Sequence, residues 1–140
     1  MAEDTFKVKV VTPEGISLEE SAEFVSFNSM SGQVGVLESH SELATQLKPG
    51  ALVVRKSNSE ETTYFVASGY AHVRNNELSI LTPYLETQSD IDESRAKEAK
   101  QRAEKHLYAS SGEDSSSVDR GRALLAMLRS EERLFVKSQK

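Results

Sequence analysis

The stretch Glu86-Thr87-Gln88-Ser89-Asp90-Ile91-Asp92-Glu93-Ser94-Arg95-Ala96-Lys97-Glu98-Ala99 decides the fold, because the hydrophobic period of the chain changes within it. From Asp90 onward, Ile91, Arg95, Ala99, Ala103 and Leu107 recur every fourth residue, with Ala96 beside them. That spacing lines one face of a helix. Ser89 or Asp90 is expected to cap its first N–H groups, and Asp92 and Glu93 complement the positive end of its dipole. Ser110-Ser111-Gly112 and the polar run 113–117 predict a stop and a linker. A second helix is predicted over 118–136, with Leu124, Leu125, Leu128, Leu134 and Phe135 as its apolar positions. Gly121 near its start costs about 1 kcal/mol relative to Ala. The first helix presents mostly alanine, so at about 25 cal/mol per Å² its face holds a hairpin only marginally. Two readings of the hairpin stand side by side: a static element that simply docks, and a mobile one.

Upstream of the switch the period is two. Phe6, Val8 and Val10 alternate with Lys7, Lys9 and Val11, which buries one face of a strand. Further strands are predicted at 16–18, 22–27, 33–36, 43–47, 51–55, 62–66, 71–74 and 78–81. Thr12-Pro13-Glu14-Gly15, Ser31-Gly32, Lys48-Pro49-Gly50, Ser57-Asn58-Ser59, Ser68-Gly69 and Asn75-Asn76 separate them with turn chemistry. Short strands at this spacing, with no helix between them, predict an antiparallel sandwich or barrel. Phe24, Phe27, Tyr64 and Phe65 are its expected core. The fold class is therefore α+β in two parts: residues 1–87 form an antiparallel β-sandwich, and 88–140 a two-helix hairpin.

Composition narrows the chemistry. The chain has no cysteine, which excludes disulfides and thiolate catalysis, and His40, His72 and His106 share no metal-ligand spacing. No catalytic set and no metal site are expected. Ser39-His40-Ser41 is the nearest approach to a nucleophile and base, but neighbours in a strand point apart. Gly32 and Gly35 lack the Lys-Ser/Thr of a phosphate loop. Residues 1–89 carry 6 basic and 12 acidic side chains, and 90–140 carry 11 and 10. The acidic first part disfavours nucleic acid, since phosphate repulsion opposes binding. A signal or transit peptide is not expected from the acidic first twenty residues. His106 is expected to serve the negative end of the first helix.

Four segments, in order, resemble the epsilon subunit of bacterial F-type ATP synthase. They are Val10-Val11-Thr12-Pro13-Glu14-Gly15; Gly32-Gln33-Val34-Gly35-Val36-Leu37 with His40 and Leu47-Lys48-Pro49-Gly50; Ser68-Gly69-Tyr70 with Ala71-His72-Val73; and Ile91-Asp92-Glu93-Ser94-Arg95-Ala96. The last fits the family's Ile/Leu-Asp-x-x-Arg-Ala signature. The chain departs from the family at Glu38, where proline is common, and at Ser39-His40-Ser41-Glu42-Leu43, where Gly-His-Ala-Pro-Leu is usual.

The resemblance implies a non-catalytic subunit in which the sandwich binds the gamma subunit and the c-ring and couples rotation. The hairpin would inhibit ATP hydrolysis by extending toward the alpha and beta subunits. It also implies a peripheral membrane complex on the cytoplasmic face of the bacterial plasma membrane. No cofactor is required, and ATP is the implied regulatory ligand of the retracted hairpin. The matching positions are Glu86, Ile91, Asp92, Arg95, Ala96, Arg102, Arg129 and Arg133, with Gln33 and His40 toward the c-ring. The competing reading of these arginines is that they are solvated or meet acidic residues of the catalytic head. For the whole chain the alternative is a free-standing β-sandwich binding module with a helical tail.

Overall fold

The computed structural model of the chain describes residues 4–109 and 117–139. The expected helix stop at 110–112 and most of the linker lie outside them. Ten strands come first: β1 (Phe6–Thr12), β2 (Gly15–Ala22), β3 (Phe24–Ser29), β4 (Gly32–Leu37), β5 (Leu43–Leu47), β6 (Gly50–Arg55), β7 (Glu61–Val66), β8 (Gly69–Arg74), β9 (Glu77–Leu81) and β10 (Leu85–Thr87). A 3₁₀ turn (Gln88–Asp90) leads to α1 (Glu93–Ala109) and α2 (Ser117–Ser138). The strand order is β10-β7-β6-β3-β5-β8-β9-β1-β2, and β4 pairs with β3. The β3–β5 link is the single residue pair Ser29–Leu47, so the sheet folds there into two facing halves. Between them lie Val8, Val10, Val25, Phe27, Leu52, Val54, Leu78 and Ile80, all nearly inaccessible to solvent.

Turn chemistry explains how short strands close so tightly. Asn75 and Asn76 both take positive φ, 53° and 61°, the turn that matches the twist of the β8–β9 hairpin. Gly69 has φ +128°, and a Cβ there would sit 1.8 Å from the carbonyl oxygen of Leu81, so no larger residue fits.

Several local expectations are corrected. The pairing is not antiparallel throughout: β1 runs parallel to β9, which joins the first strand to the last long one. Alternation records which face a strand buries but not the direction of a partner some seventy residues away. The short strand β10, antiparallel to β7, was not expected, because three residues after a proline carry too little alternation to read. Phe24 lies half-buried beneath the Arg55 guanidinium, 4.8 Å from its ring centre, rather than in the core. Phe65 is fully buried on the outer face of its sheet, opposite Tyr64 and Val66, where it meets Ile91, Ala67 and Val136.

The helices differ from the sequence reading in cap and rotation. Asp90 belongs to the 3₁₀ turn, where its carboxylate accepts from the Thr87 N–H at 3.0 Å while the Thr87 hydroxyl accepts from the Asp90 N–H. The cap of α1 is Asp92, whose Oδ1 accepts from the Arg95 N–H at 3.1 Å. A run of Thr, Ser and Asp offers successive caps, and the chain uses two. On α1 the buried positions are Ala96 and Ala103, with Ala99 half-buried, while Arg95 is exposed and Ile91 precedes the helix. On α2 they are Ala123, Ser130 and Val136, while Leu124, Leu125 and Phe135 are each at least half exposed. Small side chains let α1 approach α2, and α2 in turn packs on β6 and β7. The buried Ser130 hydroxyl is satisfied because it donates to the Ala126 carbonyl at 2.8 Å.

Candidate functional site

Strand β10 and the last turns of α2 face each other, and Arg133 spans the gap. Its Nε donates to Glu86 Oε1 at 2.9 Å and a terminal nitrogen donates to the Tyr84 hydroxyl at 2.8 Å. The guanidinium lies 4.7 Å from the ring centre of Phe65 and 5.5 Å from that of Tyr84, a stacked arrangement that a lysine could not reproduce. Burial works against the Arg133 charge. The bond and charge of Glu86, with a smaller contribution from Tyr84, more than offset it and hold the pKa above its ordinary value.

Beside this pair, a cleft of about 430 Å³ opens toward the first turns of α1. Glu86, Ile91, Asp92, Arg95, Ala96, Arg102 and Arg133 line it, so seven of the eight positions named for nucleotide come together. Arg129 is not among the lining residues; it stands one turn before Arg133, half-buried on α2. Asp90, Glu98 and Ala99 complete the wall and were not anticipated. Helical spacing was the signal for the last two, since Glu98 and Ala99 follow Arg95 by three and four residues and share its side of α1.

The charges in the cleft are unevenly committed. Glu86 holds Arg133, Asp90 closes the 3₁₀ turn and Asp92 caps α1. Among the described residues no ion pair engages Arg95 or Arg102. These two stand seven residues apart, two turns along one face, with five N–H donors each. The arrangement can receive a multiply charged anion at the arginines and a donor group at the remaining oxygen of Glu86.

Gln33 and His40 occupy opposite ends of β4. Gln33 pairs with Asn28 and lines a second cleft of about 500 Å³ with Glu61, Glu131, Glu132 and Phe135. His40 follows the far end of the strand, half-buried, with Nδ1 2.7 Å from the Ser41 carbonyl oxygen. At the end of the barrel formed by the β1–β2 turn and the β8–β9 strands, a groove of about 630 Å³ is lined by Val11, Pro13, Tyr70, Leu81 and Pro83. Tyr70 and Leu81 are more than half exposed there. No cluster of metal-ligating side chains occurs among the described residues, and none of the helices searched is long and apolar enough to cross a membrane.

Comparison with known proteins matches nearly the whole chain to one family. Residues 5–88 match the family described as ATP synthase, Delta/Epsilon chain, beta-sandwich domain, and residues 89–138 match its long alpha-helix domain. The ATP synthase epsilon chain of Desulforudis audaxviator is 39% identical over 109 residues, covering 78% of this chain and 79% of that one. The epsilon chain of Anoxybacillus flavithermus is 42% identical over 105 residues, covering 75% and 78%. In fold, the chain is similar to a subunit in the Euglena gracilis mitochondrial ATP synthase structure of OSCP, F1 and c-ring. The TM-score is 0.81 at 21% identity, with coverage of 94% of this chain and 81% of that one. A chain in the central stalk and c-ring structure from Tetrahymena thermophila gives 0.67 at 12% identity, covering 99% and 100%.

Proposed function

The chain belongs to the ATP synthase delta/epsilon family, and from that premise we propose that it is a non-catalytic central-stalk subunit whose hairpin senses ATP. Residues 1–87 would bind the gamma subunit and the c-ring and carry torque between them. Residues 88–140 would act as a brake on ATP hydrolysis when extended toward the alpha and beta subunits. The complex would sit peripherally on the cytoplasmic face of a bacterial plasma membrane. The groove around Tyr70 and Leu81 is the apolar surface best suited to a stalk partner, since exposed apolar patches rimmed by polar residues mark such contacts. His40 and Gln33 remain the residues assigned to the c-ring.

One observation carries the ATP assignment: the retracted hairpin gathers Arg95, Arg102, Arg133, Glu86 and the Ile91-Asp92 turn around a single cleft. Arg95 and Arg102 are the phosphate ligands, by charge-assisted bonds. Glu86 Oε2, opposite the oxygen that holds Arg133, accepts from the adenine amino group. Asp92 orders the α1 N-terminus, and Ile91 and Ala96 supply the apolar floor. Arg129 lies outside the cleft and would join only by a rotamer change. A ligand held between α1, β10 and α2 binds the docked hairpin and not the extended one, so it shifts the population toward the docked state by its differential affinity.

Calorimetric titration of ATP into the full chain tests the assignment. Binding is expected, and Arg95→Ala or Arg102→Ala should each weaken it by about tenfold or more, the loss of one charge-assisted contact. Absence of heat at millimolar ATP would remove the site.

A further inference from the structure

The end of α2 is held by the residue at the base of the hairpin. Gln88 opens the 3₁₀ turn that joins β10 to α1, the segment where the backbone must rotate if the helices are to swing. Its side-chain Nε2 donates to the Val136 carbonyl at 2.9 Å, which also takes the Gln139 N–H at 3.1 Å, and to the Gln139 carbonyl just past the end of α2. In return, Lys137 Nζ donates to the Gln88 carbonyl at 2.9 Å. Partners about fifty residues apart in sequence are thus joined through one residue in both directions. The same point is sealed from below by the small cluster of Val136, Phe65, Ala67 and Ile91. The Ile91 N–H itself reaches back to the Gln88 carbonyl at 3.4 Å.

We infer that Gln88 is a latch built into the hinge, so that loosening the α2 terminus and rotating the base of the hairpin are one event. The inference rests on the mobile-hairpin reading given above. A helix docked only along its length would fray residue by residue from its end. Here the end is tied to the pivot, so the last turn of α2 cannot leave without freeing Gln88. Gln88 in turn cannot rotate without breaking its bonds to Val136, Gln139 and Lys137. The docked and undocked states are therefore separated by a concerted step, and the ATP cleft, which shares Ile91 and Arg133 with this region, adds to a state the latch already defines.

Amide hydrogen exchange on the full chain without nucleotide tests this, with the amides of Val25 and Val54 in the sandwich as an internal reference. Undocked α2 should exchange quickly, because most helical stability in a protein comes from tertiary packing. In Gln88→Ala, exchange at 126–134 and at Ile91 should rise together by about tenfold, on the scale of net hydrogen-bond contributions. The reference amides should stay unchanged. A rise confined to 136–139 would show a simple helix cap and overturn the latch. Val136→Asp, which places a charge in the small cluster, separates the two ideas. If it accelerates exchange at 126–134 and Gln88→Ala does not, the latch falls alone. If neither variant accelerates it, the hairpin does not undock, and the mobile reading falls with the latch.

Discussion

Glu132 shows how one side chain can bias the docking of a whole helix. It lies on α2 beside Glu131, in the cleft that Glu61 also lines, with Lys48 as the opposing positive charge. Burial, and secondarily the charge of Glu131, raise its pKa above the ordinary glutamate value of 4.5, while Lys48 pulls it down. A raised carboxyl pKa means that the docked state binds the proton more tightly than the undocked one. The resulting stabilisation is fully present below the ordinary value and is lost as pH rises through the raised one. Docking of α2 should therefore tighten as pH falls through that window. Glu132→Gln should remove this component and leave α2 docked at least as firmly at neutral pH. Comparing the pH dependence of α2 amide exchange in the two proteins checks it; identical profiles would refute the assignment.

Turns and seams, more than the strands themselves, set what each element tolerates. Gly69 begins β8 at positive φ with the Leu81 carbonyl oxygen where a Cβ would stand, and that atom is backbone, which cannot step aside. Gly69→Ala should therefore destabilise the sandwich by about 3 kcal/mol or more, combining a strained conformation with a steric clash. The measurement is the denaturant midpoint of the sandwich, and a shift corresponding to less than about 1 kcal/mol would mean that the β8–β9 pair re-registers at little cost. The helices bury mainly small side chains, Ala96 and Ala103 on α1 and Ala123 and Ser130 on α2. Such a surface buries little area per residue, in line with a hairpin held weakly along its length.

Among the described residues there are two cores of very different size. The main core lies between the halves of the sheet, and the satellite cluster of Phe65, Ala67, Ile91 and Val136 attaches the hairpin to the outside. Phe65 is the one large side chain that the sandwich gives to the satellite. Removing everything after Thr87 would uncover it and the outer face of β7 but leave the main core whole. If the hairpin inhibits as proposed, the truncated chain should still assemble, and the enzyme carrying it should hydrolyse ATP faster than one with the full chain. Steady-state hydrolysis by the reconstituted complex measures this; unchanged hydrolysis would argue against inhibition by the hairpin.

Some of this was written locally. The alternation in 6–10, the Asn75-Asn76 turn and the change of period between Thr87 and Glu93 are all settled by neighbours within a few residues. They could therefore be read directly, whereas most residues of the cleft beside Glu86, which cluster in 86–102, were reached through the family resemblance. Other features depended on tertiary structure. The parallel β1–β9 pair, the outward burial of Phe65, the half-exposed Leu124 and Leu125, and the Gln88 latch all depend on partners tens of residues away. A helix with alanine on one side and leucine on another is amphipathic in either rotation. Its orientation is chosen by the surface that meets it, and here β6, β7 and α1 accept the small residues and Val136.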